Sequence, residues 1–203
     1  MMNSIVYKNQ SLQPAKIVCI GRNYRAHIDE LKNKVPDAPV VFIKPNSAIS
    51  NQLSTDEQEE IHYESELSFL IKNKKLHGVA FGLDLTKRQT QTKLKSQGLP
   101  WERAKAFDKS AVFSKFIECP SDINGLRLEL EINGQIIQKG GVAQMINSPL
   151  ELLEEVASFM SFENGDILMT GTPSGVGIVH KGDVFIGRLY NDEKLLISES
   201  WQV

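Results

Sequence analysis

Cysteine is scarce in this chain: only Cys19 and Cys119 occur in 203 residues, in unrelated contexts and without a CxxC spacing. That pattern fits a reduced, cytoplasmic protein in which both serve as small core hydrophobes. A chain of this length buries about 70% of its unfolded surface and needs no covalent staples. No apolar run approaches the ~20 residues a spanning helix requires; stretches such as 17–20 and 40–43 are strand-sized, so no membrane role is expected. The opening MMNSIVYKNQSLQ lacks the basic-then-apolar profile of a secretory signal. Neither charge dominates, with 23 Lys+Arg against 25 Asp+Glu and a net of −2. No basic stripe with interleaved aromatics appears, which argues against nucleic-acid binding. Internal repeats and low-complexity tracts are also missing.

What is present reads mostly as strands. Residues 4–8 and 16–20 form two, and a helix-forming stretch over 25–34 stops before Pro36. A buried strand over 40–43 ends at Lys44-Pro45, and the polar residues 46–59 read as a loop or flap. One strand is expected over 61–71, a charged turn at 72–75, and a second strand over 78–83. Thr86 and Gln89 have capping-box spacing for a polar helix over 87–97 that Gly98 ends; residues 101–114 read as irregular. Leu126, Leu128, Leu130 and Ile132 alternate with Arg127, Glu129 and Glu131 before Asn133-Gly134, a strong hairpin signal. Ser148-Pro149-Leu150-Glu151 is a capping box opening a helix whose apolar face is Leu152, Leu153, Val156 and Phe159. Two strands, 183–190 and 194–198, close the chain. Strands without regular βαβ spacing imply an α+β, β-rich fold with a few short helices.

The densest chemistry lies in His62-Tyr63-Glu64-Ser65-Glu66-Leu67. Residues two apart on a strand share a face, so Glu64 and Glu66 project together while Tyr63, Ser65 and Leu67 face the other way. Adjacent carboxylates repel unless a cation or donor offsets them, although a solvated acidic strand carries the same spacing. Asp84, at the end of Val79-Ala80-Phe81-Gly82-Leu83, either belongs to a helix cap or completes a three-carboxylate facial site. Oxygen-only ligation suits Mg²⁺ first, then Mn²⁺ or Ca²⁺, with three positions left for water and substrate. His27 and Glu30 are i,i+3 neighbours on a helix, either a surface pair or an imidazole oriented by its carboxylate as a general base. The second histidine of HExxH is missing, so zinc is not read. Lys44 and Lys105 sit in apolar stretches, where a lysine snorkels to solvent or holds substrate oxygens at a pocket rim. Residues 170–177, Thr-Gly-Thr-Pro-Ser-Gly-Val-Gly, make either a turn or an anion cradle; they match no P-loop or dinucleotide fingerprint.

Six segments in this order resemble the fumarylacetoacetate hydrolase family, especially its small branch of acylpyruvate hydrolases and oxaloacetate decarboxylases. They are Gly21-Arg22-Asn23-Tyr24 with His27 and Glu30; Phe42-Ile43-Lys44-Pro45; His62-Tyr63-Glu64-Ser65-Glu66; Leu83-Asp84-Leu85-Thr86 with Arg88; Lys105-Ala106-Phe107-Asp108; and the glycine-rich stretch 170–177. The resemblance implies a mixed β-sandwich roll, one catalytic domain over 1–203 with a lead-in at 1–15 and a lid helix at 22–35. It implies a homodimer that binds Mg²⁺ or Mn²⁺, with Ca²⁺ able to stand in. By position, Glu64, Glu66 and Asp84 are the implied metal ligands, and His27, Glu30 and Lys105 the implied catalytic residues. Arg22, Lys44, Arg88, Gln91 and Thr172 are the implied contacts to the carboxylate and carbonyl of a small 2-oxo acid. Gln89 departs from the family, whose close members often carry an acid there.

The implied reaction is hydrolytic carbon–carbon cleavage of 2,4-dioxo acids such as acylpyruvates. His27, oriented by Glu30, would activate water, and Lys105 with the metal would stabilise the departing enolate. Oxaloacetate in the same site would be open to decarboxylation or keto–enol exchange, neither of which needs an attacking water. Isomerase or tautomerase action on a 2-oxo acid is therefore the alternative, and a non-catalytic binding protein a more distant one.

Overall fold

The structure is a computed structural model describing residues 2–203. Alternation builds its first sheet. In Leu126–Ile132 the side chains of Leu126, Leu128 and Leu130 are buried. Arg127 and Glu129 pair with each other on the opposite face at 3.1 Å. Asn133 and Gly134 turn the chain with φ of 51° and 84°, the left-handed pair that a tight hairpin needs. Gln135–Gly141, Leu126–Ile132, Val184–Asn191 and Lys194–Gln202 then lie side by side in an antiparallel sheet.

The second sheet has eight strands of mixed direction. Its order is Val40–Pro45, Lys16–Gly21, Ile167–Met169, Ser65–Lys72, Lys75–Asp84, Ala111–Phe113 and Ile49–Ser50, with Ile117–Glu118 also paired to Lys75–Asp84. Ser65–Lys72 is buried along nearly its whole length, and its period of two divides it between two cores. Leu67, Phe69 and Ile71 pack in the core that holds Leu128, Leu130, Phe185 and Trp201 of the first sheet. Leu70 joins the opposite core with Ile5, Tyr7, Ile17, Cys19 and Phe116. A sheet covered on both faces buries successive side chains of a strand, as the run Phe69-Leu70-Ile71 shows. The two sheets meet through the tilted Phe81–Trp201 rings, 5.9 Å apart. Helix Pro149–Ala157 carries the expected capping box, with Ser148 Oγ accepting from Glu151 N and Ser148 N donating to Glu151 Oε2. The architecture is the β-rich α+β roll expected, and among the described residues no helix is long and apolar enough to cross a membrane.

Several local expectations are corrected. The helix expected over 22–35 is Arg25–Glu30 alone, and Lys32, with φ 51°, departs from helical geometry soon after. The strand over 61–71 is broken at Glu64 into Ile61–Tyr63 and Ser65–Lys72, which belong to different sheets. Helix Arg88–Ser96 has no side-chain cap. Thr86 lies instead in the short strand Thr86–Lys87, and its hydroxyl accepts from Lys105 Nζ at 2.6 Å. Residues 101–114 hold a helical turn, Glu102–Lys105, and the strand Ala111–Phe113. Phe159 lies beyond its helix and is 61% exposed, outside the apolar face assigned to it.

Gly187 is where the two sheets approach most closely at Phe81: a Cβ there would lie 2.5 Å from the Phe81 ring. Gly187→Ala should therefore destabilise the fold by about 1–3 kcal/mol through overpacking, read as a lower urea midpoint at unchanged slope.

Candidate active site

The acidic cluster follows from sheet register. Glu66 stands opposite Gly82 and Ser65 opposite Leu83, while Asp84 N donates to Glu64 O at 2.8 Å. Glu64 and Asp84 are thus neighbours across two chain segments, and Glu66 projects from the same face two residues on. Each of the three offers an oxygen, and those oxygens lie within 4.8 Å of one another, all buried.

Three cations answer this charge. Lys105 Nζ donates to Glu64 Oε2 at 2.8 Å and Asp84 Oδ2 at 2.6 Å. Arg88 pairs with Glu64 Oε1. Lys44 Nζ lies 2.8 Å from Asp84 Oδ1, close enough for attraction but off the hydrogen-bonding direction, so Oδ1 is left without a hydrogen-bond donor. Burial alone would push the Glu64 carboxyl up, but Lys105, Arg88 and His27 outweigh it and hold Glu64 well below the usual carboxylate range. Burial likewise opposes the charge on Lys105, yet Asp84 and Glu64 keep it a firmer ammonium than a free lysine. Glu66 goes the other way. Burial first, then the Asp84 and Glu64 charges, push its carboxyl well above the usual range, and the Gly171 N–H at 2.8 Å offsets only part of that. Three converging carboxylates, one under-compensated and one with an unused lone pair, fit a hard divalent cation.

Over this cluster lies helix Arg25–Glu30. Asn23 anchors its start: Nδ2 donates to Asn147 O and Thr170 O, and Oδ1 accepts from Asn147 N. His27 is buried, with Nδ1 3.1 Å from Glu30 Oε2. A carboxylate at that distance accepts Nδ1–H, which leaves Nε2 free to take a proton. Glu30 Oε1 accepts in turn from Gly175 N at 3.0 Å, so the glycine-rich stretch fixes the acid that orients the histidine.

These parts line one narrow cleft, of about 40 Å³. Of the residues singled out in the sequence, Arg22, His27, Glu64, Glu66, Asp84, Arg88, Gln91, Lys105 and Thr172 all line it. Glu30 stands behind His27. Lys44 departs from its expected place at a pocket rim: it is fully buried, donates to Leu85 O at 3.2 Å and to Lys105 O, and does not line the cleft. Its position suits it to hold Asp84 and the Lys105 backbone, not substrate. Arg22 holds a left-handed backbone, φ 60°, which costs a non-glycine residue about 1–2 kcal/mol.

Two neighbours went unread in the sequence. Lys95 lies seven residues after Arg88 and four after Gln91, on the same face of helix Arg88–Ser96, and lines the cleft; continuing that helical stripe would have found it. Gln138 stands opposite the inward-facing Leu130 in the hairpin and is buried. Its Oε1 accepts from Ser65 N at 3.0 Å, and its Nε2 donates to Thr172 Oγ1 and Pro173 O. It ties the acidic strand to the glycine-rich stretch, and the only sequence signal was a polar residue at an inward register position.

Comparison with known proteins places the chain in a family. The pattern of the Fumarylacetoacetate (FAA) hydrolase C-terminal family matches residues 16–193. The chain is 38% identical over 187 residues to the oxaloacetate tautomerase YcgM of Escherichia coli, covering 83% of this chain and 85% of that protein. To the mitochondrial oxaloacetate tautomerase oaa1 of Schizosaccharomyces pombe it is 34% identical over 209 residues, covering 93% and 95%. Among solved structures, the fumarylpyruvate hydrolase of Pseudomonas aeruginosa, crystallised with Mn²⁺ and pyruvate, superposes with a TM-score of 0.89 at 29% identity, covering 100% of this chain and 95% of that one.

Glu66 supplies the test of the acidic centre. In metal-free buffer Glu66→Gln should raise stability by roughly 1 kcal/mol, or about 2–4 °C in Tm, because it removes a poorly compensated buried charge. A carboxyl whose folded pKa is raised loses stabilising power as pH climbs from its ordinary value toward the folded one, so the advantage of the variant should widen as pH rises above about 4.5. Glu64, whose pKa is depressed, contributes in the opposite sense, losing its share as pH falls, and it is common to both proteins. Mn²⁺ should raise the Tm of the wild type and leave that of Glu66→Gln nearly unmoved, as differential scanning calorimetry would read.

Proposed function

The chain belongs to the fumarylacetoacetate hydrolase family, whose members are enzymes, and from that premise we propose that it catalyses keto–enol exchange of a short 2-oxo acid, oxaloacetate first, at a divalent-cation site formed by Glu64, Glu66 and Asp84. The observation that carries the reading is the buried His27, braced from behind by Glu30, facing the same cleft as the three acids. Likeness to two oxaloacetate tautomerases supports exchange over the hydrolytic cleavage that the sequence alone brought forward.

A divalent cation bound to the three carboxylates would act as a Lewis acid on the 2-oxo and carboxylate oxygens of the substrate. The chain's own groups handle the proton. His27, its Nδ1 held by Glu30, takes the proton from C3 through Nε2. The electron pair left behind moves onto the 2-oxygen, where the Lys105 ammonium provides the opposite charge. The proton held on Nε2 passes to that oxygen, which completes the enol and restores the neutral imidazole, and the same steps in reverse restore the ketone. Burial of His27 under its helix keeps bulk water from the carbon being deprotonated. Thr172 and Gln91, both buried at the cleft wall, offer hydrogen bonds to the substrate carboxylate.

Hydrolysis of acylpyruvates is the second reading, favoured by likeness to the fumarylpyruvate hydrolase. There His27 would take its proton from water. The two differ in outcome: exchange leaves the carbon skeleton intact, and hydrolysis releases pyruvate and a second acid.

With Mn²⁺ or Mg²⁺ present, the wild type should accelerate the decay of oxaloacetate enol, followed by ultraviolet absorbance. His27→Ala should slow that decay by about 10²–10⁴-fold while keeping the Mn²⁺-dependent rise in Tm. Pyruvate release from acetylpyruvate at a comparable rate would move the assignment to the hydrolase, and no turnover of either substrate would refute both.

A further inference from the structure

Two cations in the cleft have no acid. Arg88 is paired with Glu64, and Lys105 with Glu64 and Asp84. Arg22 and Lys95 line the same cleft, yet among the described residues neither forms an ion pair. Arg22 Nη1 reaches only the Lys34 carbonyl, at 3.5 Å, and Lys95 Nζ only Asn33 Oδ1, at 3.0 Å. Partial burial, then the nearby Arg22 and Arg88 charges, hold the Lys95 ammonium below the usual lysine range. The Glu64 charge offsets only part of this, and two like charges in one cleft without ion pairs of their own are the counterpart of an anionic ligand group. The three acids occupy the rest of that cleft, and Lys95 stands at its exposed mouth.

We infer that Lys95, with Arg22 beside it, is the specificity determinant for the distal carboxylate of a dicarboxylic 2-oxo acid whose 2-oxo end sits at the acidic centre. The inference rests on the reading of the site as one for 2-oxo acids and names the substrate class within it. A monocarboxylic 2-oxo acid would leave both cations facing water. A dicarboxylate would offer its second acid to cations that line the same cleft, and a charge-assisted hydrogen bond to an ammonium discriminates by about ten- to a hundredfold. Asn33, in the segment after the helix that carries His27, accepts from Lys95 at 3.0 Å. Ligand binding would exchange that neutral partner for a charged one.

The test uses two inert 2-hydroxy acids, malate and lactate, which share the chelating end and differ in the distal carboxylate. Calorimetric titration of the Mn²⁺-loaded wild type should find malate bound about 10–100-fold more tightly than lactate. Lys95→Gln should cut that ratio about tenfold, through malate, and Lys95→Arg should restore most of it. Equal weakening of both ligands in Lys95→Gln would mean that Lys95 only tethers the Asn33 segment, and would overturn the inference. So would an unchanged ratio, or no binding of either acid by the wild type. Because neither ligand reacts, failure of the enol assay with the malate preference intact would count against the proposed reaction alone. A ratio untouched by Lys95→Gln would count against the distal subsite alone, even with tautomerase activity present.

Discussion

Repulsion among three buried carboxylates is the constraint that the surrounding structure answers. Glu64, Glu66 and Asp84 converge at one end of a sheet whose interior is otherwise apolar, where a charge is costly unless paired. Lys105 and Arg88 balance Glu64, and Lys44 stands behind Asp84. Glu66 receives a single backbone N–H from Gly171. The imbalance is local and directional. It leaves the cluster with an electrostatic deficit of the kind that a hard dication would offset.

The parts above the cluster are held by the same few segments. Gly171 N binds Glu66, Gly175 N binds Glu30, and Gln138 links Thr172 to the backbone of Ser65 between the two glutamates. One glycine-rich stretch therefore positions an acid of the centre and the acid that orients His27. A shift of that stretch would disturb both together, which makes the distance between proton acceptor and acidic centre a property of the fold and not of one side chain.

In the reading proposed above, chelation of a 2-oxo acid would be common to exchange and hydrolysis, and the reactions would part at the atom from which His27 takes its proton. If C3 is the source, the product is an enol. If water is the source, a carbon–carbon bond breaks. Relatives that act on oxaloacetate and on fumarylpyruvate share this fold, consistent with a site whose acid–base parts are constant and whose outcome follows from the ligand it seats. Arg22 and Lys95 line the cleft beside the acids and, among the described residues, form no ion pair.

Local pattern was enough to read the hairpin at Asn133-Gly134, the Ser148 capping box, the shared face of Glu64 and Glu66, and the His27–Glu30 contact, because each depends on a period or a spacing of a few residues. The family resemblance extended that to Asp84, Lys105, Arg88, Gln91 and Thr172. Other features depended on partners distant in sequence. Glu64 breaks its strand because Ile61–Tyr63 pairs with Thr86–Lys87 and Gly177–Ile178, while Ser65–Lys72 pairs elsewhere. Thr86 is drawn from a helix cap to Lys105. Lys44 is buried because register places it opposite Ile17, on the face that packs over Asp84. The amino-acid order by itself determined which residues alternate, turn, cap and carry charge, since those are properties of adjacent positions. Only the tertiary structure decided which charges are neutralised and which stay unpaired, because the energy of a buried charge is set by neighbours that the chain brings from tens of residues away.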